Sequence, residues 1–343
     1  MSNTLKSIVN PYKRSFFKLF TSSFKNSKHN AELSKIDRQK IKRVLVTRPN
    51  HRLGNQLLLS PLLQTLEEEF PAAKVDLLVN GTLSNILFQN YDNIGTIHSL
   101  PKKPFKHLAE YISVSYKLIT INYDLAIVGI EHSNSSKIFV KLSRARYKIF
   151  DSGKSTNKSL HIAKIPIDNL MAALQKDSLP TVYPKLDFKL DEEEIKAGKK
   201  VLSNYYSDGK PIVAIFTNAT GEKKHSKEWW NELCAAIEKQ LPDAHIFEIL
   251  PKENTSQVDF KYKSYLSNEL REIASVIENC SVFIGADSGV MHLATATQTP
   301  TFGLFNGVKD PENYKPYGHH KYVVDTTKTT TNQLALDVKK AVL

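Results

Sequence analysis

From Ile41 onward, short β-branched runs alternate with amphipathic segments of helical length, and no other feature limits the fold of this chain so strongly. RVLVT (43–47), KVDLLV (74–79), IGTIHSL (94–100) and DLAIVGI (124–130) read as strands, with helices over Leu57 to Glu69 and Tyr111 to Ile121. Strands spaced this way need crossover connections, hence a mostly parallel sheet covered on both faces. After the proline-bearing stretch from Leu179 to Pro184 a second series begins. PIVAIF (211–216), HIFEIL (245–250), SVFIGA (281–286) and TFGLF (301–305) alternate with helical patterns over Asp191 to Ser203, Trp229 to Leu241 and Asn268 to Asn279, and from Gly289. The expected α/β architecture is two Rossmann-like doubly wound domains facing across a cleft, with ligands at the carboxyl ends of the strands. The expected boundaries are a basic tail over 1–40, an N-terminal domain over 41–180 and a C-terminal domain over 181–343, its last helix free to pack back on the N-terminal domain.

The 343 residues, 41% of them hydrophobic, can fill two cores. No run approaches the roughly 18 to 20 uncharged apolar residues of a spanning helix, and the start lacks the apolar region of a secretory signal, so a cytoplasmic protein is expected. Cys234 and Cys280 have no zinc-ligand spacing and read as buried thiols. The net charge of +12 is unevenly placed: residues 1–43 hold eleven Lys or Arg against two acids, a net +9, which leaves +3 for the other three hundred. A nucleic-acid groove would spread its basic residues over the fold and interleave aromatics, so no nucleic-acid partner is expected. In the tail, Asn10-Pro11 looks like a helix start, and Tyr12, Phe16, Leu19, Phe20 and Phe24 recur at helical spacing with lysines elsewhere. That composition suits a helix lying on an anionic membrane surface, placed on residues 1–28 at the inner face of the cell membrane. A disordered basic leader, or a helix packed on the body, are the alternatives.

Four polar loops follow strand ends: Arg48 to Asn55, Glu131 to Ser136, Thr217 to Lys227, and Asp287-Ser288-Gly289. The lysine-rich third loop and the Asp-Ser-Gly turn suggest a diphosphate held by a cation and by backbone amides at a helix start. Asp287 is equally an N-cap by residue type, and His292, one turn further on, is equally a core histidine.

The run GADSGVMHLATATQTPTFGLFNGVKDPENYKPYG (285–318) resembles the donor-site signature of glycosyltransferase family 9, the bacterial ADP-heptose:lipopolysaccharide heptosyltransferases. Looser likeness extends to TNATGEKKHSKEWWNEL (217–233), to 135–153 and to 43–79. The resemblance implies a GT-B fold. It implies that Lys223, with Lys224 as the fallback, neutralises the donor diphosphate. It places Thr217, Asn218, Asp287, Ser288, Gly289 and His292 at the donor, with Glu253 on ribose, and Asn55 and His132 on the acceptor side. One position departs from the family pattern: the aspartate that serves as base after a glycine is here Asn55, and an amide cannot take up a proton. His51, an imidazole in the same loop, is the favoured base and Glu131 the second choice. The expected activity is metal-independent, cofactor-free, inverting transfer of a heptose-like sugar from a nucleoside diphosphate donor, ADP-heptose by resemblance. The expected acceptor is a lipopolysaccharide-core or related lipid-linked envelope glycan. A non-catalytic sugar-nucleotide-binding relative, or an epimerase on the same architecture, are the alternatives.

Overall fold

A computed structural model of the chain describes residues 37–103, 106–150, 161–174, 182–307 and 311–343. The membrane-surface reading of residues 1–28 therefore falls outside the described residues. In chain order the first half runs β1 (Arg43–Thr47), α1 (Leu53–Leu57), α2 (Ser60–Glu69), β2 (Lys74–Asn80), α3 (Leu83–Leu87), β3 (Ile94–Leu100), α4 (Leu108–Thr120), β4 (Asn122–Val128), α5 (Asn134–Leu142), β5 (Arg144–Ile149) and α6 (Ile165–Ala173). The second half runs α7 (Glu192–Ser203), β6 (Ile212–Phe216), α8 (Lys227–Gln240), β7 (His245–Ile249), β8 (Lys263–Tyr265), α9 (Leu270–Glu278), β9 (Val282–Ala286), α10 (Gly289–Thr295), β10 (Thr301–Phe305), β11 (Lys321–Asp325) and α11 (Thr331–Val342).

Two compact units emerge, each around a parallel sheet. Among the described residues, the first comprises those within 37–51, 62–82 and 92–184, its sheet ordered β3-β2-β1-β4-β5. Every pairing in it is parallel, as crossover helices demand. One face of this sheet is filled by Leu45, Leu78, Ala126 and Val128 packed with Leu118 of α4 and Phe139 and Val140 of α5. Its charged centre is Asp76 in β2, which accepts from Arg43 at 2.8 and 3.1 Å, the Thr96 amide at 2.7 Å and the Tyr123 hydroxyl at 3.0 Å.

The second unit comprises Lys185–Leu343 together with Arg52–Pro61 and Leu83–Tyr91, so α1 and α3 belong to it by contact. Arg271 of α9 explains part of that membership. It pairs with Glu194 of α7 and donates to the carbonyls of Lys189 at 3.0 Å and Ile86 at 3.1 Å. Asn90 also donates to Glu194, and Tyr91 to the Asp187 carbonyl. The sheet is ordered β11-β10-β9-β6-β7-β8, again with only parallel pairs. The last helix, α11, lies with α8 over one face, where Leu334, Ala335 and Val338 join Trp230, Leu233 and Ile237.

The helix expected over Leu57 to Glu69 begins at Ser60, and a separate short helix, α1, which was not expected, precedes it. Leu58 closes α1 by donating to the Gly54 carbonyl, and α2 starts anew at Ser60-Pro61, where a proline without an N–H is tolerated only in the first turn. The strand expected over 124–130 sits two residues earlier, because Asn122 and Tyr123 pair with Arg144 and Ala145 of β5. Helix α5 is started by Ser133, whose hydroxyl accepts from the Ser136 amide.

Candidate active site

The site in the second unit is assembled where β6 and β9 end. Strand β9 is wholly buried, and the chain leaves it through Asp287 and Ser288. Ser288 is extended, and its hydroxyl accepts from the Met291 amide at 3.2 Å, which starts α10 at Gly289. After β6 the chain makes a short 3-10 turn over Gly221–Lys223, and its Lys223 ammonium donates to the Asp287 carboxylate. The two loops that sequence reasoning assigned to the diphosphate are thereby joined by an ion pair. The Lys223 side chain is 42% exposed and that of Asp287 9%, so the lysine is the more accessible member of the pair.

His292 lies buried on α10 with Nε2 4.0 Å from the other Asp287 oxygen. Helix α1 covers it. A Cβ added at Gly54 would stand 2.4 Å from His292 Cδ2, and one at Gly289 would stand 3.0 Å from Leu53 Cβ, so the two helices touch backbone to side chain with no spare volume. Asn55 is thus brought, on α1, to the same end of the unit as the Asp-Ser-Gly turn.

Thr217 is buried at the end of β6 and its hydroxyl is engaged twice: it donates to Glu248 at 2.6 Å and accepts from the Gln257 amide at 3.1 Å. Glu248, in β7, is fully buried and accepts a second hydroxyl, that of Ser256, at 2.7 Å. Burial pushes its carboxyl above the usual range, against the two hydroxyl donors. This residue is absent from the sequence reading, although an acid inside the apolar run HIFEIL was a visible signal. Asn218 reaches the same neighbourhood, 3.5 Å from the Thr255 hydroxyl. Lys224 closes the 3-10 turn with its amide on the Gly221 carbonyl, and Glu253 is an exposed residue of the loop after β7. His225 was also missed. Burial drives its imidazole down to about 4, and it sits between the Trp229 ring at 4.2 Å and the Thr326 hydroxyl at 2.9 Å as a neutral wedge ahead of α8.

In the first unit the strand ends present different groups. His51 is exposed three residues after the fully buried Arg48, whose guanidinium donates to the Gly129 carbonyl at 2.9 Å. Glu131 follows β4 with its carboxylate 3.6 Å from His132 Nε2, and His132 has a left-handed backbone, φ 60°. Ser136 ties α5 to β1 by donating to the Thr47 carbonyl at 3.1 Å. Among the described residues no group of three or more His, Cys, Asp or Glu side chains is placed to hold a metal ion, and no helix is long and apolar enough to cross a membrane.

Known structures share this arrangement of sheets. A glycosyltransferase family 9 protein from Veillonella parvula DSM 2008 superposes with a TM-score of 0.73 over 89% of this chain and 98% of its own, at 16% identity. The E. coli heptosyltransferase WaaC with ADP gives a TM-score of 0.64 over 87% and 99%, also at 16% identity. The fold is therefore of the GT-B glycosyltransferase class. In sequence, lipopolysaccharide heptosyltransferase 3 of Escherichia coli is 24% identical over 302 residues, 78% of this chain and 84% of the relative. The profile of glycosyltransferase family 9 (heptosyltransferase) matches residues 117–340, and the chain belongs to that family.

Proposed function

We propose that this glycosyltransferase moves a heptose from ADP-heptose to a lipopolysaccharide-core or related lipid-linked envelope glycan, with inversion at the anomeric carbon. The observation that carries the reading is the Lys223–Asp287 pair, a partly exposed lysine held at the turn that starts α10. A diphosphate can compete for the ammonium, because the lysine side chain is partly exposed and can turn toward a second anion while His292 stays beside the carboxylate. Likeness to an E. coli heptosyltransferase solved with ADP supports the choice of nucleotide. Asp287, Ser288, Gly289 and His292 frame the phosphates. Lys224, Asn218 and Glu253 line the approach from the neighbouring loops, and Thr217 acts from behind by holding those loops in place.

In the step, the acceptor hydroxyl oxygen forms a bond to the anomeric carbon while the bond from that carbon to the diphosphate oxygen breaks. The electron pair leaves with ADP, where Lys223 and the amides after Asp287 stabilise it. The hydroxyl proton passes to His51, with Glu131 as the second choice, while Asn55 and His132 orient the acceptor. No divalent ion is needed, since a lysine and oriented amides supply the charge. The enzyme works at the inner face of the cell membrane, with the basic residues 1–28 drawn to anionic lipid.

The test is ADP release from ADP-heptose in the presence of a heptose-deficient lipopolysaccharide acceptor, with and without EDTA. Acceptor-dependent release, unchanged by EDTA, is expected. A protein whose unfolding temperature rises with ADP but which consumes no donor is a binding protein instead, and a free isomerised sugar without acceptor marks an epimerase.

A further inference from the structure

Helix α4 is apolar on two sides. Its inner side gives Leu118 to the core of the first unit, with Tyr111 and Val114 packed against that core. Its outer side presents Leu108, Ile112 and Tyr116, spaced four residues apart and 55%, 57% and 67% exposed. Leu142 at the end of α5, which packs beside α4, is 57% exposed. At 1.5 Å per residue the α4 stripe is about 12 Å long. An aligned apolar stripe on an otherwise polar surface marks a face that something covers.

Charge identifies what covers it. Residues 102–148 hold nine Lys or Arg against three acids, a net +6, whereas the rest of 44–343 sums to −3. Lys102, Lys103 and Lys106 stand exposed before α4, Lys117 on it, and Lys141 and Arg144 around the end of α5. The one acid of α4, Glu110, lies 3.8 Å from His107 Nδ1. The segment 1–36, with seven Lys or Arg against one acid, is repelled by such a face, and so is a second copy presenting the same basic rim. An acyl interior beneath a negative headgroup layer satisfies both the apolar stripe and its rim, with lysine stems lying along the hydrocarbon and Tyr116 at the boundary.

We propose that the outer face of α4 and α5 is a docking surface for an anionic lipid bilayer. The proposal rests on the lipid-linked acceptor only for its purpose. It is tested with neither donor nor acceptor, so it can fail while the transfer reading stands. The full-length protein is sedimented with vesicles of phosphatidylcholine containing phosphatidylglycerol, and with phosphatidylcholine alone. Binding is expected only with the anionic lipid, falling as salt rises. Leu108→Ser/Ile112→Ser/Tyr116→Ser and Lys102→Glu/Lys103→Glu/Lys117→Glu should each bind at least about tenfold more weakly, with unfolding temperatures near that of the parent. If either variant folds poorly, Tyr116→Trp carries the test: its emission should shift to the blue on adding anionic vesicles. Variants that sediment like the parent, equal binding to neutral vesicles, or a tryptophan whose emission does not move, each overturn the proposal. So does a parent dimer that the triple serine variant converts to monomer, since that face would then be a protein interface.

Discussion

Two carboxylates paired with cations lie near opposite ends of their strands and behave differently. Asp76, in the first unit, receives Arg43 through two nitrogens, the Thr96 amide and the Tyr123 hydroxyl, with His98 Nε2 3.6 Å away. The fit leaves so little space that a Cβ at Gly95 would come within 2.4 Å of its Oδ1. Burial raises the Asp76 carboxyl, but the His98, Thr96 and Arg43 contacts outweigh it and hold the pKa at about 2. Asp287, in the second unit, has one ammonium on it and His292 at 4.0 Å. A carboxylate with its acceptor capacity filled by fixed donors serves the fold. One that shares a single half-exposed lysine leaves that lysine available to another anion.

Lys223→Ala should produce the largest effect: a loss of roughly 10³-fold in kcat/KM, about 4 kcal/mol of transition-state stabilisation, with little change in unfolding temperature. Asp76→Ala should do the reverse. It strands the Thr96 amide, the Tyr123 hydroxyl and the Arg43 guanidinium together, which costs about 3 kcal/mol of stability, while kcat/KM at a permissive temperature stays within about twofold. Urea unfolding and steady-state kinetics on both variants decide. Should Lys223→Ala lose stability and keep its turnover, the two pairs are alike and the diphosphate reading is withdrawn.

The contrast was only half legible in the sequence. Short, nearly continuous apolar runs placed the eight strands read from RVLVT to TFGLF within a residue or two, because strands buried on both faces of a parallel sheet carry few polar residues. The Lys223 loop and the Asp287-Ser288-Gly289 turn were legible because both follow strand ends, and their ion pair brings them together. Strand β5 and helix α3 were missed: RARYKI alternates lysine and arginine with its apolar residues, and LSNIL is a single turn with no period to detect. Asp76 and Glu248 were passed over for another reason. A lone acid in an apolar strand says only that a partner exists, and the partners, Arg43 and Tyr123 for one, Thr217 and Ser256 for the other, lie on different elements. The attachment of α1 and α3 to the second unit has no local signature, since it rests on long-range bonds such as Arg271 to Ile86.

Acid titration separates Asp76 from a third buried carboxylate, Glu248 of the second unit. Asp76 is held at about 2, below its ordinary 3.8, so its stabilisation is complete above about pH 4 and is lost as pH falls through 2. The shift is worth about 2 kcal/mol. Unfolding free energies at pH 6, 4 and 2.5 should fall in the parent and fall less in Asp76→Asn; parallel curves for the two proteins would show that Asp76 is not the group lost. Glu248 is raised, so its contribution has the opposite sign: the folded state keeps the proton longer, and stability from this group is greatest below the unfolded pKa and declines as pH rises through the folded one.

The smallest effect expected is that of Glu248→Gln, and it separates support from chemistry. An amide keeps the shape and one acceptor oxygen but turns a donor toward one of two hydroxyls, so either Thr217 or Ser256 must reorient. Thr217 also accepts from the Gln257 amide, hence the change reaches the loop after β7 without touching Lys223 or Asp287. KM for the nucleotide sugar should rise about tenfold, about 1.4 kcal/mol, with kcat nearly constant, since misplaced loops weaken ground state and transition state alike. Above the ordinary carboxyl value of 4.5, stability should decline less with rising pH than in the parent, because the raised carboxyl is gone. A fall in kcat at constant KM would instead put Glu248 in contact with the reacting centre, and the distinction between the carboxylate that supports and the one that yields its lysine would then have to be drawn elsewhere in the second unit.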